Sequence, residues 1–168
     1  ARLVGSEMCI RDRFKKLQEW FVNDRSVFEK CPWIYCPYII GPGDHPDDFQ
    51  FIHVFWYPNR GPVSEHINVI EPIMQKINPS IWLRIKANLR LKTNHVRVGG
   101  MHTDVGNYGH TTSIFYVNSN DGCTTFENGD TYKSVENRLI TFPSHLRHAG
   151  SSPSNTKTRF VINFNYFQ

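Results

Sequence analysis

The period of the hydrophobic residues changes partway along this chain, and the change divides it into a helical part and a β part. From Phe14 to Lys30 the apolar residues Phe14, Leu17, Trp20, Phe21 and Phe28 recur at near-helical spacing among charges. This predicts a short amphipathic helix or two, packed through the apolar stripe. Cys31–Pro46 is rich in Pro and Gly and predicts irregular backbone, followed by a strand over Asp48–Tyr57, where DFQFIHVFWY alternates. A second helix is expected after Ser64 as N-cap, with Ile67, Ile70, Ile73, Met74 and Ile77 as its buried stripe and Pro72 as a kink.

After Pro79 the pattern is β throughout. Trp82–Leu91, His95–Val98, Thr111–Asn118, Cys123–Phe126, Thr131–Ser134, Arg138–Phe142 and Thr158–Phe167 are short β-branched or aromatic runs separated by turn residues. Asn128-Gly129-Asp130 reads as a tight hairpin turn and Ser151–Asn155 as a loop. Many short strands at this spacing predict a sandwich or barrel. No repeat, low-complexity tract or linker divides residues 14–168, which read as one domain. Ala1–Arg13 lacks the basic head and apolar centre of a signal peptide, and its run VGSEMCIRDR resembles translated adaptor read-through, so 1–13 is set aside as a non-native leader.

Composition narrows the class. The chain has 168 residues, enough for one hydrophobic core that needs no disulfide or structural metal. No apolar run approaches the roughly 20 residues of a helical membrane span, which argues against a membrane protein. The net charge of +4 comes from scattered cations, so a nucleic-acid partner is disfavoured. Cys9, Cys31, Cys36 and Cys123 form no CxxC pair and read as free thiols in a reducing, cytoplasmic compartment. Nothing in the sequence signals an oligomeric state.

Two HxD triplets stand out, because a mononuclear iron site needs two imidazoles and one carboxylate on one face of the metal, leaving the other positions open. His45-Pro46-Asp47 lies in a Gly/Pro loop and reads as a surface turn. His102-Thr103-Asp104 follows Gly99-Gly100-Met101 at the end of a β run and just before Thr111–Asn118, at the mouth of the expected barrel. A third ligand must come from a strand folding back beside it, and His145 and His148 are the candidates. In Thr158–Phe167, Phe160, Ile162, Phe164 and Tyr166 share one face, while Arg159, Val161, Asn163 and Asn165 share the other. A buried, unpaired guanidinium is costly, so Arg159 with two asparagines beside it suits a cavity that holds an anion, and Arg can clamp a carboxylate by two parallel hydrogen bonds.

Over roughly Asp48 to Phe167 these pieces resemble the 2-oxoglutarate/Fe(II)-dependent oxygenases, in particular the prolyl-4-hydroxylase-like members. The pattern there is HxD, a T-x-I-x-Y-x-N strand, a distal His and then Arg or Lys about ten residues on. Here it is matched by His102/Asp104, Thr112-Ser-Ile-Phe-Tyr116-Val-Asn118, His148 and Arg159, with His148 standing 11 residues before Arg159 where His145 stands 14 before it. The resemblance implies a mainly β double-stranded β-helix, a jelly-roll or cupin-like barrel with flanking helices. It implies that His102, Asp104 and His148 bind Fe(II) and carry catalysis. Arg159 and Tyr116 would hold the distal carboxylate of 2-oxoglutarate, and Asn88 would meet its keto-acid end. It also implies O₂ as co-substrate, ascorbate as an optional reductant, and hydroxylation of a C–H bond of a peptidyl substrate, prolyl among them, or of a small molecule, releasing succinate and CO₂. A non-catalytic jelly-roll module binding sugar or protein is the alternative. Cys123 stands where family members carry a glycine, and His53, His66, His95 and His110 read as structural or exposed, His110 being near enough to the mouth to touch substrate.

Overall fold

The computed structural model describes residues 2–5, 11–22, 31–42, 44–46, 48–106 and 108–168. Cys9, Phe28 and Asp47 fall outside these residues, as does the second half of the expected N-terminal helix. The elements run β1 (Arg2–Gly5), α1 (Arg11–Val22), β2 (Ile34–Cys36), β3 (Gln50–Tyr57), β4 (Gly61–Pro62), a 3-10 turn (Ile67–Val69), α2 (Glu71–Ile77) and β5 (Ile81–Leu91). They continue with β6 (Thr111–Tyr116), β7 (Cys123–Phe126), β8 (Thr131–Lys133), β9 (Arg138–Pro143), β10 (His148–Gly150) and β11 (Thr158–Phe167). The large sheet has the order β1-β9-β6-β11-β5-β3-β2, with β4 on β3, and the small one β10-β7-β8. Every pairing is antiparallel. This is the double-stranded β-helix that the resemblance implies, within the sandwich or barrel class that the strand pattern predicts.

The alternation of β11 sets the layers. Phe160, Ile162, Phe164 and Tyr166 point outward into a core shared with Phe14, Leu17 and Phe21 of α1 and Ile73 and Ile77 of α2. Burying such side chains contributes about 1.5–3 kcal/mol each. α1 is further tied to the sheet by Gln18, which donates to the Val117 carbonyl at 2.9 Å. The opposite face of the large sheet meets the small sheet. There Ile114, Tyr116, Phe126, Ile140, Phe142 and Val161 form a second apolar cluster, and the rest of the space between the sheets is polar.

Several expectations need correction. The second helix is broken in two, because Ile70 lies between the 3-10 turn and α2. Pro72 does not kink it but occupies the first turn of α2, where its missing N–H has no intrahelical partner to lose. Ser64 is not an N-cap; its Oγ accepts from the His66 N–H at 3.1 Å and bonds His53 Nε2 at 2.9 Å. The helix ends at Asn78 with φ 43°, whose N–H returns to Met74 O. Cys31–Pro46 contains one short edge strand, β2. His95–Val98 forms no strand: only Val98 makes a bridge, to Ser151. The neighbouring backbone is held by Arg97 N–H donating to Ser152 Oγ at 3.1 Å and Thr93 Oγ1 donating to His95 O at 2.7 Å, in place of a ladder. β10 was not legible as a strand, since it has three residues and no apolar alternation.

Candidate active site

Backbone pairing explains how two distant histidines meet. His102 and His148 form an isolated antiparallel bridge in which each N–H donates to the other's carbonyl at 2.9 Å. Residues paired in this way lie directly opposite and project to the same face. The imidazoles stand with centroids 4.9 Å apart. Asp104, two residues beyond His102, turns to the same side, and its Oδ1 lies 4.0 Å from His102 Nε2. One ligand atom from each of His102, Asp104 and His148 lies within 4.8 Å of the others. His145 is exposed and outside this group.

Protonation and tautomer suit a divalent ion. His102 Nδ1 lies 3.0 Å from the Gly100 carbonyl and His148 Nδ1 3.4 Å from the Leu146 carbonyl. A carbonyl only accepts, so each Nδ1 carries the hydrogen and each Nε2 presents its lone pair. Burial holds His148 below the usual imidazole range, with His102 and Arg84 adding to the effect, while Asp104 and the Leu146 carbonyl oppose it. Burial works to raise the Asp104 carboxyl, but Arg84, His148, Lys86 and His102 together outweigh it and hold it well below the usual carboxylate range. For His148 and Asp104, a neutral imidazole and an ionised carboxylate are the states a metal requires.

The two asparagines on the inner face of β11 act on Asp104. Asn163 Nδ2 donates to both of its oxygens, at 3.3 and 3.1 Å, and Asn165 Nδ2 donates to Oδ2 at 3.3 Å. Arg84 completes the set with an ion pair to Oδ1 at 3.2 Å, its Nε donating to Asn165 Oδ1 at 3.2 Å. The carboxylate, 3% exposed, is therefore oriented from outside the metal position.

A cavity runs inward from the triad between the sheets, lined by Lys86, Asn88 and Arg90 of β5, Thr124 of β7 and Arg159 of β11 among others. Arg159, 3% exposed, donates through Nε to Ser134 Oγ at 2.7 Å and through its two amino groups to Thr124 Oγ1 at 3.2 Å and Ser151 O at 3.5 Å. All three are neutral oxygens. Tyr116 stacks under the guanidinium at 5.6 Å and its hydroxyl donates to Thr124 Oγ1 at 2.9 Å. Burial raises the phenol above its usual value, so it remains a donor. Thr124 Oγ1 thus accepts twice and its own hydrogen is left for the cavity. Asn88 lines the same space, and its Oδ1 is buried without a partner. Burial lowers Lys86 to about 8, with Arg84 adding to the effect and Asp104 and Cys36 opposing it.

Sequence reasoning missed Thr124, Lys86, Arg84 and Arg90. Three of these were accessible, because Arg84, Lys86, Asn88 and Arg90 share one face of β5 by the period-two rule applied above to β11. Of the other histidines, His45 and His95 are exposed, His53 is buried between Pro32 O and Ser64 Oγ, and His66 is half-buried. His110 is buried with neither ring nitrogen bonded and does not line the cavity. Cys31, Cys36 and Cys123 are free. Among the described residues no helix is long and apolar enough to cross a membrane.

No protein-family model and no curated protein matches the chain. Solved structures do match. AviO1 from Streptomyces viridochromogenes Tue57 aligns with a TM-score of 0.59 and 12% identity over 99% of this chain and 88% of its own. A prolyl hydroxylase from Trichoplax adhaerens, solved in complex with a hypoxia inducible factor oxygen degradation domain peptide fragment, aligns with a TM-score of 0.57 and 13% identity over 99% and 82%. A 2OG-Fe(II) oxygenase family oxidoreductase from Burkholderia pseudomallei aligns with a TM-score of 0.55 and 14% identity over 93% and 78%. At these identities the likeness establishes the fold: a double-stranded β-helix whose neighbours include 2-oxoglutarate/Fe(II) oxygenases.

Proposed function

We propose that the protein is an Fe(II)/2-oxoglutarate-dependent dioxygenase acting in the cytoplasm. It would hydroxylate a C–H bond of a peptidyl substrate, prolyl among them, or of a small molecule. The observation that carries this reading is the convergence of His102, Asp104 and His148, from separate segments, at the mouth of a cavity that ends on a buried guanidinium. Iron with 2-oxoglutarate and O₂ supplies the oxidising chemistry, releasing succinate and CO₂.

The chain's own residues bind and orient. His102 and His148 offer Nε2 because their Nδ1 hydrogens are held by Gly100 and Leu146 carbonyls. Asn163, Asn165 and Arg84 keep Asp104 ionised and aimed. Arg159 and the free hydrogen of Thr124 take the distal carboxylate, with Tyr116 fixing the Thr124 hydroxyl from behind. Asn88 meets the keto-acid end. The apolar cluster around Ile114 and Val161 keeps bulk water from the cavity's inner wall.

Anaerobic addition of Fe(II) and then 2-oxoglutarate should give a visible charge-transfer absorption. Asp104→Ala should abolish it and weaken metal binding by at least about 100-fold. A wild-type protein that binds neither would instead be a jelly-roll module for sugar or protein.

A further inference from the structure

The charges inside the barrel are unevenly paired. Arg84 has Asp104 at 3.2 Å, and Arg90 has Asp48 at 3.3 Å, which Arg97 also approaches at 3.6 Å. Arg159 has neutral acceptors only and, on the reading above, receives one carboxylate of 2-oxoglutarate. Lys86 lies between these pairs on the inner face of β5 and lines the cavity, and among the described residues no carboxylate lies within 4.0 Å of its ammonium. A half-buried ammonium that feels Asp104 only from beyond ion-pair distance, that carboxylate being paired with Arg84 at 3.2 Å, is undercompensated in the empty protein. Such a charge is compensated when a ligand supplies the anion.

Register locates it. Lys86 stands opposite Asn163, which holds Asp104, whereas Arg159 stands opposite Arg90. Four residues of strand, roughly 13 Å, separate the two levels. Lys86 is therefore at the metal end of the cavity, away from the end Arg159 closes. The charge balance points outward from the co-substrate. Five cations, Arg84, Lys86, Arg90, Arg97 and Arg159, stand against two carboxylates, Asp48 and Asp104. A divalent metal and a dianionic co-substrate cancel, so the excess of positive charge persists once both are bound.

Building on that functional reading, we propose that Lys86 binds a carboxylate of the substrate to be hydroxylated, so that the substrate is an acid: an amino acid, a peptide C-terminus or an acidic side chain. An ammonium is a compact point charge with rotatable donors and suits one carboxylate oxygen, without the planar fork that Arg159 offers.

The test uses acetate as the probe and acetamide as its uncharged control, titrated into the anaerobic protein loaded with Fe(II) and 2-oxoglutarate and followed by the charge-transfer band. Acetate should perturb the band and acetamide should not. Lys86→Met should weaken acetate binding about tenfold or more while leaving the 2-oxoglutarate dissociation constant within about threefold, and Lys86→Arg should restore acetate binding. A normal wild-type band that acetate does not perturb, or acetate binding unchanged in Lys86→Met, overturns the assignment. If Lys86→Met weakens 2-oxoglutarate about tenfold with metal binding intact, the lysine serves the co-substrate's own carboxylate and the substrate assignment falls. Absence of the band in the wild type overturns the functional reading, and this one with it.

Discussion

Replacing Arg159 with methionine should separate co-substrate binding from both metal binding and folding. The guanidinium is buried over the Tyr116 ring, donates to the oxygens of Ser134, Thr124 and Ser151, and carries its charge without a carboxylate. Removing one partner of a buried charge pair costs about 2–5 kcal/mol. For 2-oxoglutarate this corresponds to a dissociation constant raised roughly 30-fold to several thousand-fold. In the ligand-free protein the balance is different. Three neutral acceptors lose a donor, at about 1 kcal/mol each, while relief from desolvating an unpaired charge returns several kcal/mol. The variant is expected to be as stable as the wild type or more so. Metal affinity should be unchanged, because Arg159 sits four residues along β11 from Asn163, roughly 13 Å. Anaerobic calorimetric titration with Fe(II) and then with 2-oxoglutarate, alongside thermal unfolding of the unloaded protein, reads all three quantities. Equal loss of metal and co-substrate, or undiminished 2-oxoglutarate binding, would refute the reasoning.

Gly122→Ala should reach the same end without touching the arginine. A Cβ there would stand 2.7 Å from Arg159 Cδ and 2.8 Å from Asn120 Oδ1, so the guanidinium must move. The expected result is about a tenfold or greater loss of 2-oxoglutarate affinity with metal binding retained, and unchanged affinity would mean that the cavity is more yielding than its packing implies. Acid should weaken the fold through His53, whose imidazole is held below its usual value mainly by burial, with His66 adding and the Pro32 carbonyl opposing. The unfolded chain then binds more protons in the window below about pH 6.5, so stability declines as pH falls through that window and levels off beneath the folded value. Denaturation midpoints compared between pH 7.5 and 5 for wild type and His53→Gln check this, with parallel curves as the contrary outcome.

Local pattern determined much of this molecule. The period-two runs of β3, β5, β6 and β11 are readable because a strand buried on a sheet must alternate or be apolar throughout, and the HxD pair is readable because both residues lie in one short segment. The polar face of β11 announced a cavity for the same reason. Tertiary structure decided the rest. Whether His145 or His148 joined His102 depended on one reciprocal backbone pair across 46 residues of sequence, and three-residue β10 has too little pattern of its own to be seen. That Asn163 and Asn165 hold Asp104, that Thr124 stands between Tyr116 and Arg159, and that Lys86 is left without a carboxylate are outcomes of register between strands. Such contacts are set by the energy of the whole sheet, and no single stretch of residues carries that information.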